Sequence, residues 1–297
     1  MWIDEENALK KLNRLRANNK IGESLCNDIR KIIKEGYTII KSCIKDEIID
    51  EFVTKYNIAY NNVHERVVNF HTHDESTLDL VCNKYIDKLL STIFETKQTV
   101  YTSLTFGYGT NQSIHRDTPH FYTNPIDQYF GVWYALEDIQ LDSGPLMYYK
   151  KGHTLDIKNG YETWNELFGN DTEKTHNNIN LCLNKYNSNI EEECKKHRLE
   201  GVNTENITQT INKGDVIVWH PKLPHGGSNI LNKELTRKSI VTHNIPKYKK
   251  VFNASHFFGP EHTREYLKNE CFYKYNTHNN VCYVDHGVKH FIQKSYL

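Results

Sequence analysis

Val100-Tyr101-Thr102-Ser103-Leu104-Thr105-Phe106-Gly107-Tyr108-Gly109-Thr110-Asn111-Gln112-Ser113-Ile114-His115-Arg116-Asp117 reads as a strand, a glycine turn and a second strand. Val100 to Phe106 is rich in β-branched and aromatic residues, Gly107-Tyr108-Gly109 interrupts it, and Ser113 to Asp117 resumes the extended pattern. Residues two apart in a strand point to the same face, so His115 and Asp117 stand side by side. An imidazole and a carboxylate so placed make two ligands for a divalent metal. A His-x-Asp tripeptide by itself arises by chance in many chains, so the rest of the sequence has to supply the weight.

Downstream the strand character continues through Tyr129 to Leu136, Gly144 to Tyr149, Gln209 to Ile211, Asp215 to His220 and Thr236 to Ile245. Upstream the pattern is helical with one strand inserted. Ser24 is placed to cap a helix that carries Leu25, Ile29, Ile32 and Ile33 on one face and ends at Gly36. Tyr37-Thr38-Ile39-Ile40 follows as a short strand. Asp46-Glu47 opens a second helix with Ile48, Ile49, Phe52, Val53 and Tyr56, and a third is expected from about Thr77 to Glu95. Strands without regularly alternating helices favour an antiparallel sandwich or barrel over a parallel sheet.

Residues 153–208 are Asn-rich, polar and irregular, with a helix expected at Ile190 to Leu199. So long a segment inside a β domain reads as a lid, a binding loop or a disordered insertion. The expected organisation is a single domain over 1–297: N-terminal helices to about 97, a β core over about 98–250 with the insertion inside it, and a tail over 251–297.

The chain has 297 residues with 37 Lys+Arg against 37 Asp+Glu, and this balance points away from a nucleic-acid-binding surface. No apolar run approaches the ~20 residues of a membrane span. The N-terminal residues lack a basic segment followed by an apolar one, so a cytoplasmic location is expected. The 7 Cys are scattered without a C-x-x-C pair, which reads as reduced thiols. Cys271, His278, Cys282, His286 and His290 in the tail invite a zinc reading, but their spacing matches no usual zinc motif.

The second half of the site lies in Asp215-Val216-Ile217-Val218-Trp219-His220-Pro221-Lys222-Leu223-Pro224-His225-Gly226-Gly227-Ser228, a buried strand ending in a His-rich turn. Two His and one carboxylate that leave open coordination positions form the facial triad of non-haem Fe(II) oxygenases. Arg237, twelve residues beyond His225, is placed to hold the far carboxylate of a dicarboxylate co-substrate with a bidentate fork.

With these residues in order, the sequence resembles the phytanoyl-CoA dioxygenase family of Fe(II)- and 2-oxoglutarate-dependent oxygenases. The resemblance runs from Glu35-Gly36-Tyr37-Thr38-Ile39-Ile40 to about Pro246. His115-Arg116-Asp117, Gly131 to Asp138, Ser143-Gly144-Pro145-Leu146, Gly152-His153, Lys213-Gly214-Asp215, His225 to Asn229 and Arg237 follow the family pattern in order. Each piece is ordinary; the ordered set is specific.

The resemblance implies a double-stranded β-helix (jelly-roll, cupin-like) core with N-terminal helices packed on it and a lid-like insertion over the site mouth. It implies Fe(II) on His115, Asp117 and His225, with Arg237 on the distal carboxylate of 2-oxoglutarate and O2 as oxidant. Trp133 falls where the family commonly places a Trp beside the co-substrate, and Ser228 and Gln112 are candidates for polar contacts. The family's distal His is often followed two residues later by Ser, whereas this chain has Gly227 there and Ser228 next. His220 competes with His225 as distal ligand, but the Gly-Gly-Ser-Asn tail and the Arg spacing belong to His225.

The implied activity is hydroxylation of a small organic molecule coupled to decarboxylation of 2-oxoglutarate to succinate and CO2. Related halogenases carry a small residue where this chain has Asp117, so the carboxylate favours oxygenation. The absence of a dense basic patch disfavours an acyl-CoA, and the Tyr- and His-rich 120–130 loop with the polar insertion points to a polar substrate. His120, Phe121 and Tyr122 either line the pocket or form an ordinary aromatic loop. The alternatives are a cupin-like metal-dependent isomerase or hydrolase, and a non-catalytic binding protein that keeps the fold.

Overall fold

Phe130–Ala135 is buried at every position, as expected of a strand covered on both faces. A computed structural model of the chain, describing residues 1–60, 66–72, 74–169, 178–200, 206–259, 273–287 and 291–293, shows what covers it. In chain order the elements are α1 (Ala8–Ala17), α2 (Glu23–Glu35), β1 (Tyr37–Ile40), α3 (Asp46–Tyr60), β2 (Arg66–Val68), α4 (Glu75–Val81), α5 (Lys84–Phe94), β3 (Gln98–Phe106), β4 (Phe130–Ala135) and β5 (Leu146–Tyr149). They continue with α6 (Gly160–Phe168), α7 (Ile179–Leu199), β6 (Asn206–Gln209), β7 (Val216–Trp219), β8 (His225–Gly227), β9 (Ser239–Pro246), α8 (Ala254–Phe258), β10 (Lys274–His278), β11 (Val281–Asp285) and β12 (Phe291–Gln293).

The larger sheet runs β1-β7-β4-β9-β3-β11-β10, with β2 joining β3 to β12, and the smaller runs β6-β5-β8. Side-chain alternation sorts the two faces of the larger sheet. Phe130, Val132 and Tyr134 of β4, Val216 and Val218 of β7 and Ile240 of β9 pack with α1, α2, α3 and α5 in one extensive core. Trp133, Ala135, Ile217 and Trp219 point the other way and meet Leu146 and Tyr148 of the smaller sheet. This is the two-sheet jelly roll expected from the sequence, with the N-terminal helices on its outer face.

Several local expectations are corrected. The third helix is two, α4 and α5, because the Asn83 side chain accepts from the backbone N–H groups of Tyr85 and Ile86 and caps a new start. Gly22, not Ser24, is the N-cap of α2. Ser113 to Asp117 is not a continuous strand; only His115 makes a ladder contact, with His225. The insertion is more helical than its polar sequence indicates. Its α7 begins at Ile179, eleven residues before the expected start at Ile190, and buries Cys182, Tyr186, Ile190 and Cys194 against Trp164, Phe257 and Phe258.

Gly131 illustrates how closely the inner face is packed. A Cβ on it would lie 2.1 Å from the Trp219 indole directly across the strand pair. Gly131→Ala is expected to displace that indole and cost about 1–3 kcal/mol by overpacking, read as a lower urea midpoint with a changed Trp emission.

His153 ties the start of the insertion to the helical layer, its Nε2 donating to the Ile33 carbonyl at 3.1 Å. Burial, reinforced by nearby His220, pushes its pKa from 6.5 down to about 3. The folded protein thus keeps His153 neutral where the unfolded chain takes up a proton. The stability this residue contributes is complete above its unfolded pKa and declines by roughly 1.4 kcal/mol per pH unit below it. Urea titrations from about pH 7 down to 5 should show this slope, and His153→Gln should flatten it.

Candidate metal centre

The loop before Asp117 and the strand β8 are joined through their backbones. His115 N–H donates to the His225 carbonyl at 2.9 Å, His225 N–H returns to His115 at 3.0 Å, and Gly227 N–H donates to Gln112 at 2.8 Å. Only a glycine at 226 permits this approach, since a Cβ there would sit 2.6 Å from the Gln112 carbonyl. The two histidines are thereby fixed to one point from residues 110 apart in sequence.

Their ring orientations are set from behind. His115 Nδ1 lies 2.7 Å from the Ser113 carbonyl and His225 Nδ1 lies 3.0 Å from the Leu223 carbonyl. A carbonyl can only accept, so both Nδ1 atoms carry a proton, and in the neutral rings that would ligate a metal both Nε2 atoms present lone pairs forward. His115 Nε2 faces Asp117 Oδ1 at 3.5 Å and His225 Nε2 faces Asp117 Oδ2 at 3.3 Å. Ligand atoms of His115, Asp117 and His225 all lie within 4.8 Å of one another, and all three residues are buried. Neutral rings so placed aim two lone pairs at a carboxylate, an arrangement that a proton or a divalent metal among them relieves, so this donor set fits a divalent metal. Burial alone would raise the Asp117 carboxyl, but His225, His243 and His115 hold it well below the usual range, so it is ionised and ready to ligate.

Around this centre the other anticipated residues are distributed as follows. Gln112 is exposed, with its amide Nε2 3.1 Å from His115 Nε2, at the rim of the triad. Arg237 is 4% exposed; its Nη1 donates to the Gly144 carbonyl at 3.0 Å, its Nε has no partner, and its guanidinium lies 5.7 Å from the Phe106 ring centroid. Burial pushes its pKa down to about 10, with no acidic neighbour offsetting the shift. A buried guanidinium without a carboxylate among the described residues fits an anionic ligand. Ser228 belongs to the same corner, because its carbonyl abuts Gly144, and its Oγ is buried without a partner. Trp133 lies in the apolar core between the sheets, level with Ile217 and Val241 on the neighbouring strands.

His220 is not at the centre. It is buried beyond the end of β7, with Nε2 3.1 Å from Asp4 Oδ1. In the tail, His278 bonds Asp79 and His286 bonds the Tyr101 carbonyl, both through Nε2 at 2.6 Å, while Cys271 and His290 lie outside the described residues. The triad is the metal-competent cluster among the described residues. Of the aromatic loop, Phe121 stacks on His243 and Tyr122 packs against Phe252 and Phe257, while His120 is exposed.

Three neighbours of the site were not anticipated. Trp219 packs on His225 with ring centroids 4.9 Å apart, Phe106 lies beneath Arg237, and His243 Nε2 is 3.1 Å from Asp117 Oδ2. Strand alternation carries the signal for two of them, since 217 and 219 share a face, as do 241 and 243.

A jelly roll offering two imidazoles, a carboxylate and an uncompensated guanidinium defines a metal-dependent oxygenase of the 2-oxoglutarate type. The family model for Phytanoyl-CoA dioxygenase (PhyH) matches residues 26–239, and the chain belongs to that family. It is a 2-oxoglutarate-dependent non-haem iron dioxygenase, with Fe(II), 2-oxoglutarate and O2 as its cofactor, co-substrate and oxidant.

Solved structures share the fold. The epimerase SnoN from nogalamycin biosynthesis, in complex with Fe3+, alpha ketoglutarate and nogalamycin RO, is 13% identical with a TM-score of 0.59, covering 88% of this chain and 98% of that one. The non-heme alpha ketoglutarate dependent carbocyclase SnoK, also from nogalamycin biosynthesis, is 12% identical with a TM-score of 0.58, covering 86% and 94%. EctD from S. alaskensis, with 2-oxoglutarate and 5-hydroxyectoine, is 12% identical with a TM-score of 0.54, covering 78% of each chain. A comparison with curated proteins returns no match. No described helix is long and apolar enough to cross a membrane.

Proposed function

We propose that His115, Asp117 and His225 hold Fe(II), that Arg237 holds the distal carboxylate of 2-oxoglutarate, and that the enzyme hydroxylates a small polar molecule. The observation that carries the reading is the pairing of a cation-requiring donor set with a buried, uncompensated guanidinium. Ser228 Oγ, buried without a partner beside Gly144, supplies a hydroxyl to the same co-substrate carboxylate. Trp133 forms the apolar wall of the co-substrate pocket, and Gln112 donates at the exposed rim.

Bound iron supplies the activation of O2 that couples decarboxylation of 2-oxoglutarate to oxidation of a C–H bond. The protein's own part is orientation and exclusion of water. The backbone pairing of His115 with His225 fixes two ligands before metal arrives, and the inner-face core of Trp133, Ile217 and Trp219 keeps the co-substrate side dry. Asp117 fills the position that a halide would need, which supports oxygenation. Residues 1–297 act as one catalytic domain in this reading, supported by a core that runs from Trp2 to Val281.

Small-molecule ligands in the SnoN and EctD structures, the exposed Gln112 beside His115 and the exposed His120 three residues beyond Asp117 support a small, polar substrate. The test is a substrate screen by succinate release, followed by mass spectrometry under isotopically labelled O2. Hydroxylation requires a product heavier by one labelled oxygen atom. An isomerised, cyclised or desaturated product without the label would replace hydroxylation with one of those outcomes.

A further inference from the structure

We infer that His243 is a positioning residue for the metal centre, acting through Asp117; the inference rests on the iron reading of the triad. His243 Nε2 lies 3.1 Å from Asp117 Oδ2, and both side chains are buried. Its Nδ1 is buried without a partner. The tautomer follows from these two facts. A proton on Nδ1 would bury an unpaired donor and turn the Nε2 lone pair towards a carboxylate, whereas a proton on Nε2 makes a hydrogen bond to an ionised acceptor. His243 therefore donates to Asp117.

The strand is built to hold that ring in place. On β9, His243 is flanked in register by Gly131 on β4 and Thr102 on β3, with the Trp219 indole lying over Gly131. Phe121 stacks on its open side with ring centroids 3.6 Å apart and planes within 13°. The register on β9 sets the ring beside Asp117, and the Phe121 stack adds contact on its open face. A carboxylate can turn about its Cβ–Cγ bond and present one oxygen or two to a metal. A fixed donor on Oδ2 sets that rotation, so Asp117 meets the metal in one mode and leaves the remaining positions to the co-substrate and O2.

Two properties of His243 are separable by substitution. His243→Phe keeps an aromatic ring against Phe121 and removes the donor; His243→Gln keeps a donor near the Nε2 position and removes the stack. Phe121→Leu removes the stack from the other side and leaves His243 itself in place.

Affinity for Co(II) is measured anaerobically on the full chain by titrating its visible ligand-field absorption, with folding checked by circular dichroism. His243→Phe is expected to bind about 10- to 100-fold more weakly than wild type and to show an altered band shape, while His243→Gln and Phe121→Leu stay within a few-fold with the wild-type band. Wild-type affinity and spectrum in His243→Phe, with the loss falling on His243→Gln and Phe121→Leu, would overturn the inference and leave His243 a packing residue. A folded wild type that binds no Co(II) would overturn the triad reading and the inference with it.

Discussion

Asp117→Ala is expected to leave a folded protein that neither retains Fe(II) nor forms succinate from 2-oxoglutarate. The carboxylate is the only anion the centre offers among the described residues, and it faces both imidazoles and His243 at 3.1–3.5 Å. Removing it leaves two neutral imidazoles to hold a dication in a buried site, at the full desolvation cost of the ion. The loss should exceed the ~10- to 100-fold that removal of a supporting hydrogen bond costs. Equilibrium dialysis with Fe(II) under anaerobic conditions measures the first effect, and succinate release under O2 the second. Retention of stoichiometric iron by Asp117→Ala would mean that the metal sits elsewhere.

Arg237→Ala is expected to separate co-substrate binding from metal binding. The guanidinium is buried, donates once to the Gly144 carbonyl and keeps its Nε unpaired. Its remaining donors suit a carboxylate approaching in the plane of the fork. Truncation of one partner of a buried charge pair costs about 2–5 kcal/mol, so KM for 2-oxoglutarate should rise roughly 30-fold or more while Fe(II) affinity is unchanged. Arg237→Lys keeps the charge without the fork and should fall between the two. Steady-state kinetics against 2-oxoglutarate, beside the dialysis above, separates the effects. Unchanged KM in Arg237→Ala would assign the anion site to another residue.

The grouping of His115, Asp117 and His225 was legible from the order of the motifs along the chain. That order survives modest errors in element boundaries, and it carries the reading even though the strand expected over Ser113 to Asp117 does not form along its length. The larger sheet was legible for the same reason: β3, β4, β7 and β9 are dense in β-branched and aromatic residues and are bounded by turns. Three kinds of feature were not. Ser113 to Asp117 lacks a ladder along its length because its geometry is dictated by a single backbone exchange with His225. Helix α1 buries only Ala8 and Leu12, too few apolar positions to show a period, and its stability comes from packing against α2. The split between α4 and α5 depends on one capping side chain, Asn83, inside a continuous apolar pattern.

The residues that support the site were the hardest to read. Alternation puts Trp219 on the face of Ile217 and His243 on that of Val241, but their local sequence does not say which partners they meet there. Their roles arise from cross-strand register: Gly131 stands opposite both of them, and its missing side chain makes the space in which the Trp219 indole packs. A single glycine in β4 therefore supports the His225 ring through Trp219. Local pattern gives no access to such a relation, because the partners are brought together by the sheet.

The most direct test of the account is an anaerobic titration of the protein with Fe(II) and 2-oxoglutarate, followed by visible absorption. Chelation of iron by the keto acid at an intact triad should produce a metal-to-ligand charge-transfer band that is absent with either component alone and absent in Asp117→Ala. Admission of O2 should then bleach the band as succinate forms. Well-folded protein that shows no band and yields no succinate would contradict the account.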